Sequence, residues 1–359
     1  MNIAEELIIV GRYATIDGSE GEPIYNTPIT PRENYLRIFR EGEKPMWAPV
    51  NGDIVSLLPR IIPDNVARAT VTDDKPFVPE RDAGGPDMFG VEWRYIPTAR
   101  GSMVEPGKPV LEDIEDWKNV IRLPDVDSYD WEDASELLRP LYTSGRANMS
   151  TIYTGLFERL ISFMDFDGAA VALIDDEQKP YVHEIFDALC GIYDRLMYNL
   201  KKYFELDIIC VHDDWGSQRA PFFSLDVCRE MLLPYLKRLV DTAHKYGMIF
   251  NFHSCGRNEL LVPAMIEAGV DMWSGQNLND WELLSEKYGG VLKYNIAMDK
   301  FDPAKSTEEE YIADFLAAWE KYSHYESCIV IPTRMRVRGL TEKCFERVYA
   351  LSREKYQQG

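Results

Sequence analysis

The sequence predicts an α/β fold: a (β/α)8 barrel of the TIM type carrying an N-terminal extension and an irregular cap segment. Three observations predict it. Short apolar strands alternate with amphipathic helices along most of the 359 residues, as repeated βαβ units require. The clearest unit is 204–256, where Leu206-Asp207-Ile208-Ile209-Cys210-Val211 and Gly247-Met248-Ile249-Phe250-Asn251-Phe252 flank a helical pattern over 225–245. Such apolar runs belong to parallel strands covered on both faces. Both strands then break into chemistry-bearing residues, His212-Asp213-Asp214-Trp215-Gly216 and His253-Ser254-Cys255-Gly256. The carboxyl ends of parallel strands open on one crevice, so both clusters point at a common pocket.

In chain order, residues 1–29 are polar and read as an extension laid over the domain. Thr30-Pro31-Arg32-Glu33 is a helix start, with Thr as N-cap, Pro at the first position and Glu at the third. That helix runs to about Arg40 and stops at Gly42. A first strand is expected near 46–50, followed by a loop at Asn51-Gly52-Asp53. Residues 60–125 are rich in Pro, Gly and Asp, with a strand over 87–95 leading to a turn at Gly101. They form either a lid over the pocket or a surface excursion. Helices follow at 130–142, 157–164, 167–175 and 178–203, with a strand at 149–153 before the second. Beyond the central unit the alternation continues: helix 257–267, strand 270–273, helix 280–287, strand 291–295, helix 306–322, strand 327–331 and helix 341–356. No linker divides the chain, so 30–359 reads as one barrel domain with 60–125 as its cap.

Bulk properties exclude several partners. Lys and Arg total 39 against 60 Asp and Glu, a formal charge of -21. Nucleic acid and anionic membrane surfaces both need clustered positive charge and are disfavoured. No apolar run approaches the ~20 residues of a membrane span, and the acidic start is unlike a signal peptide. The six cysteines make no Cys-x-x-Cys pair and no disulfide framework. A reduced, cytoplasmic protein is expected.

Candidate site residues lie just past the strand ends, where polar groups face a loop or a ligand. They are Asn51, Tyr153, His212, Asp213, Asp214, Trp215, His253, Cys255, Gln276, Asn295, Arg334 and Arg336. In His253-Ser254-Cys255, residues two apart on extended backbone point the same way, so imidazole and thiol can share a zinc ion. The alternative is a substrate-binding His beside a Cys that only packs. A third ligand is needed. Cys328 begins its strand and lies on the order of 15 Å below the crevice at ~3.3 Å per residue; Asp213, Asp214 or a Glu from the cap could serve instead. Asp213 and Asp214 could orient His212 or His253 and act as acid or base, or cap the following turn and helix.

These residues also carry a resemblance. Thr30-Pro31-Arg32-Glu33-Asn34-Tyr35, Pro45 to Val50, Asp87 to Trp93, Gly155-Leu156-Phe157-Glu158-Arg159, His212 to Gln218 and Phe252-His253-Ser254-Cys255-Gly256 occur in this order. With Glu267 to Asp271, they resemble the uroporphyrinogen decarboxylase-like superfamily, and within it the corrinoid-dependent methyltransferases. The resemblance implies the same (β/α)8 barrel. The arginine-bearing motif of the decarboxylases has no counterpart here. Zinc-using methyltransferases carry His-x-Cys and a distant Cys beyond the last strand, where this chain has Thr333-Arg334-Met335-Arg336. The resemblance therefore implies transfer of a methyl group from a methoxylated small molecule, an aromatic one included, to the Co(I) corrinoid of a partner protein. His253, Asp213 or a metal would help the leaving oxygen, and Arg334 or Arg336 would meet a substrate anion. Zinc-dependent transfer from methyl-corrinoid to a thiol is the alternative. A decarboxylase-like protein or a catalytically silent small-ligand barrel remains a further option, and a homodimer stays open.

Overall fold

The apolar runs at 206–211 and 247–252 lie side by side in one parallel sheet. The computed structural model describes residues 2–98, 101–332 and 339–357. The extension folds into an antiparallel hairpin, β1 (Ile9–Arg12) and β2 (Pro23–Tyr25). The barrel begins with β3 (Ile54–Ser56). The cap carries a three-stranded antiparallel sheet, β4 (Gly85–Pro86), β5 (Glu92–Ile96) and β6 (Gly101–Val104). The remaining barrel strands are β7 (Ala147–Ile152), β8 (Ile208–His212), β9 (Ile249–His253), β10 (Met272–Ser274), β11 (Lys293–Ala297) and β12 (Cys328–Ile331). Seven parallel strands are thus hydrogen-bonded in the order β3-β7-β8-β9-β10-β11-β12 among the described residues. The sheet curls around a lumen of about 280 Å³ reached by side chains from β3, β7, β8, β9, β10 and β11. Among the described residues no helix is long and apolar enough to cross a membrane.

The expected strand at 46–50 does not form. Its donors are taken elsewhere: the Met46 and Trp47 amides go to Asn34 Oδ1, the Ala48 amide to Ser352 Oγ and the Val50 amide to Asp53 Oδ2. Pro49 has none to give. A segment without free N–H groups cannot join a ladder, and the first strand forms instead at Ile54–Ser56. Asn51 bridges the seam left between β12 and β3, donating to the Pro332 carbonyl.

The helix start at Thr30 forms as read, with Thr30 Oγ1 accepting from the Glu33 amide over Pro31–Leu36. The Glu33 carboxylate does not close the box; it pairs with Arg37 and Arg40. The two helices expected at 157–164 and 167–175 form within Leu156–Ala172, parted at Asp165, whose φ of 62° is non-helical. Asp165 accepts from the Gly107 amide, so the break is tied to the end of the cap sheet.

The cap is anchored through a buried ion triad. Arg159, on the Leu156–Ala172 helix, bonds Asp64 at 2.6 Å and also Asp87, and all three side chains are buried. Asp87 in turn accepts from the Trp93 indole and from the Phe89 and Val91 amides. Removing the cation would leave two carboxylates in a dry interior. We expect Arg159→Met to lose about 3–5 kcal/mol of unfolding free energy in urea titrations. A loss below about 1 kcal/mol would show that the triad does not hold the cap.

Candidate active site

The crevice at the strand ends is built by two loops, the turns after β8 and β9, locked to each other. The Trp215 amide donates to Ser254 Oγ, the Arg257 amide to the Ser217 carbonyl, and Asn258 Nδ2 to both Ser254 Oγ and the Cys255 carbonyl. Gly256 has φ +97°, and a Cβ there would collide with the Gly216 backbone; only glycine permits this approach. Gln276, among the residues expected to bind substrate, accepts from the Gly256 amide at 3.0 Å and steadies the same loop.

On this frame His212, Asp214, His253 and Cys255 converge, each offering a ligand atom within 4.8 Å of the others. β8 and β9 are in register at His212 and His253, so the two imidazoles stack at 4.6 Å with 13° between planes. Cys255 Sγ lies 3.5 Å from His253 Nε2, and Asp214 Oδ1 accepts from the Cys255 amide at 2.7 Å. Tyr153 packs its ring 6.4 Å from that of His212.

Two residues absent from the sequence-derived set complete the cluster. Glu158 Oε2 sits 2.6 Å from His212 Nδ1, and Arg68, from the cap, lies 3.5 Å from Glu158 Oε1. Burial alone would lower His212 and raise Glu158. Their mutual attraction, with Arg68 beside Glu158, overrides it, so His212 titrates above and Glu158 below the ordinary range. Burial, reinforced by the His212 charge, lowers His253 to about 3, so its imidazole is neutral and keeps a lone pair to share. Burial and the Asp214 charge push the Cys255 thiol up, and burial with the Glu158 charge raises Asp214. A cation bound among them would reverse both last effects.

The other expected residues are placed differently. Asp213 is turned away from the cluster: its carboxylate accepts from the Leu156, Phe157 and Glu158 amides and from the Trp215 indole. It caps the Leu156–Ala172 helix, with Oδ2 taking the Leu156 and Phe157 amides and the indole, and Oδ1 the Glu158 amide. Burial, with Glu158 nearby, pushes it up to about 6, so it is ionised at neutral pH. Gly155 allows this contact, since a Cβ there would lie 2.5 Å from that of Asp213. Trp215 is fully buried against Phe252 and touches no crevice. Cys328 faces outward, 3.0 Å from Ser285 Oγ on the Trp281–Tyr288 helix, and takes no part in the cluster. Asn51 and Asn295 line the lumen with His253. Asn295 Nδ2 donates to Ser274 Oγ, which donates to Asn251 Oδ1, a polar chain beneath His253. Arg334 and Arg336 lie outside the described residues.

No family model matches the chain, and no curated protein matches it. Among solved structures, a methyltransferase from Methanosarcina mazei superposes with a TM-score of 0.60 at 14% identity, covering 92% of this chain and 99% of that one. An endo-β-1,4-xylanase of glycoside hydrolase family 10 from Gloeophyllum trabeum gives a TM-score of 0.39 at 10% identity over 58% of this chain and 69% of that one. An endo-1,4-β-xylanase from Caldicellulosiruptor owensensis gives 0.38 at 10% identity over 61% and 75%. The first likeness bears on the fold.

The capping role assigned to Asp213 makes a direct prediction. Asp213→Asn sets an NH₂ group against backbone donors, and unfolding free energy should fall by about 1–3 kcal/mol. Unchanged unfolding free energy would show that Asp213 does not cap that helix.

Proposed function

We propose that this chain is a methyltransferase whose His212, Asp214, His253 and Cys255 hold a zinc-class divalent cation, and which transfers a methyl group from a methoxylated small molecule to the reduced corrinoid of a partner protein. The convergence of those four donors carries the reading. Two imidazoles, a thiol and a carboxylate are the ligand types zinc takes. The neighbourhood of His212 fits as well. Metal-ligating histidines donate their other ring N–H to a carboxylate, and Glu158 receives Nδ1 here, leaving Nε2 toward Asp214 at 3.7 Å. Asp214 and His212 would complete the ligand set in place of the distant Cys of the zinc-using methyltransferases that the sequence resembles. The barrel likeness to the Methanosarcina mazei methyltransferase agrees with the fold that the resemblance implies.

The chemistry asks little of covalent catalysis. The methyl carbon accepts an electron pair from the reduced corrinoid, the carbon–oxygen bond breaks, and its pair remains on the leaving oxygen. That oxygen needs positive charge or a proton as the bond breaks. A zinc ion, when bound, supplies Lewis-acid charge at that oxygen. The protein's own residues do the rest. Glu158 fixes the tautomer and plane of His212, Asp214 and Gln276 hold the 253–256 loop through its amides, and burial keeps His253 neutral. The Asn251–Ser274–Asn295 chain lines the lumen where the body of the substrate would enter.

Metal analysis of purified chain tests the reading. Near one zinc per chain is expected for wild type and for Cys328→Ala, and roughly a tenth or less for His253→Ala and Cys255→Ala. Methyl transfer from a methoxylated aromatic to reduced cobalamin should fall at least ~100-fold in those two variants. Wild-type protein free of zinc after purification without chelator would overturn the metal site; zinc bound without any methyl transfer would overturn the reaction.

A further inference from the structure

The end of the barrel where the strands begin holds a second cavity of about 280 Å³, as large as the lumen. It lies between the starts of β11 and β12, the turn 323–326, the C-terminal helix and the segment 43–49. Its charge balance is unlike that of the rest of the chain, which carries 60 acidic against 39 basic residues. Lys44, Lys293, Lys355 and His324 line it, with Glu43 and Glu326 as its carboxylates. Both carboxylates are engaged: Glu43 with Arg37 at 3.6 Å and Arg40 at 3.5 Å, Glu326 with Lys44 at 2.9 Å.

Lys293 and Lys355 are left with neutral partners. Lys293 Nζ donates to the Glu326 carbonyl at 3.2 Å and Lys355 Nζ to Ser323 Oγ at 2.6 Å. Neither ammonium has a carboxylate within 4.0 Å among the described residues. Burial lowers the proton affinity of Lys293, and the charge of Glu326 offsets this only in part. The rest of the wall is mixed: Ile38, Pro45, Pro49 and Ile329 are apolar, while Ser323, Tyr325, Cys328 and Tyr356 add polar atoms. Two ammoniums with no carboxylate in contact, beside a wall that is partly apolar, match an anion carried on an apolar body.

We propose that this cavity is a binding site for a small organic anion, a carboxylate or phosphate on an apolar body, held by Lys293 and Lys355. The site is separate from the His212–His253 cluster, which lies at the opposite ends of the strands. Calorimetric titration of the full chain tests it, with benzoate and phenyl phosphate as probes and neutral benzamide as control. At least one anion should bind saturably and at least about tenfold more tightly than benzamide. Lys293→Met and Lys355→Met should each weaken it by roughly tenfold, Lys293→Arg should retain it, and Cys255→Ala should leave it unchanged. Whichever anion binds identifies the head group. Anions binding no better than benzamide would overturn the proposal. So would wild-type affinity in both methionine variants, or binding lost in Cys255→Ala and kept in Lys293→Met.

Discussion

The buried carboxylate of Asp213 is the contact on which the rest of the site depends. It joins the end of β8 to the first turn of the Leu156–Ala172 helix by accepting three consecutive backbone N–H groups. Those amides have no partners within their own helix, and a carboxylate at a helix N-terminus also meets the favourable end of the dipole. The turn so fixed carries Glu158 and Arg159 as neighbours. One reaches into the crevice to hold His212, and the other reaches out to hold the cap through Asp64 and Asp87. One helix cap thus positions both Glu158 at His212 and Arg159 at Asp64 and Asp87.

The cap is connected to the site by charge as well. Arg68 belongs to the cap, lies 5.0 Å from the Trp93 ring, and stands beside Glu158. Removing the cap would strip Glu158 of a counter-ion and loosen the orientation of His212. The polar lumen below serves a different purpose. Most barrel interiors are filled by branched apolar side chains, whereas here Asn251, Ser274 and Asn295 occupy the layers beneath His253 and leave open volume. Space of that kind beside a donor cluster is suited to a small ligand.

Much of this was legible in the sequence, because period and position carry it. The apolar runs of β8 and β9 declared a parallel sheet, and the residues at their ends declared the crevice. His253 and Cys255 share a face because they are two apart on extended backbone. What stayed illegible depends on side chains finding distant donors. Nothing local shows that Asn34 and Ser352 would consume the amides of 46–48 and displace the first strand. Nothing local distinguishes Asp213 from Asp214, although adjacent side chains on extended backbone must face opposite ways; one capped a helix and the other met the cluster. Glu158 was hidden as an ordinary first-turn acid. Its signal was its place, one turn into a helix that follows a barrel strand.

X-ray absorption at the zinc edge of the purified chain tests the central claim most directly, because it reads the atoms around the metal. The donor set His212, Asp214, His253 and Cys255 predicts a mixed shell, with one sulfur at ~2.3 Å and nitrogen or oxygen at ~2.0 Å. The sulfur should vanish in Cys255→Ser. A shell of oxygen and nitrogen alone in wild type, or one unchanged by that substitution, would contradict the site described here.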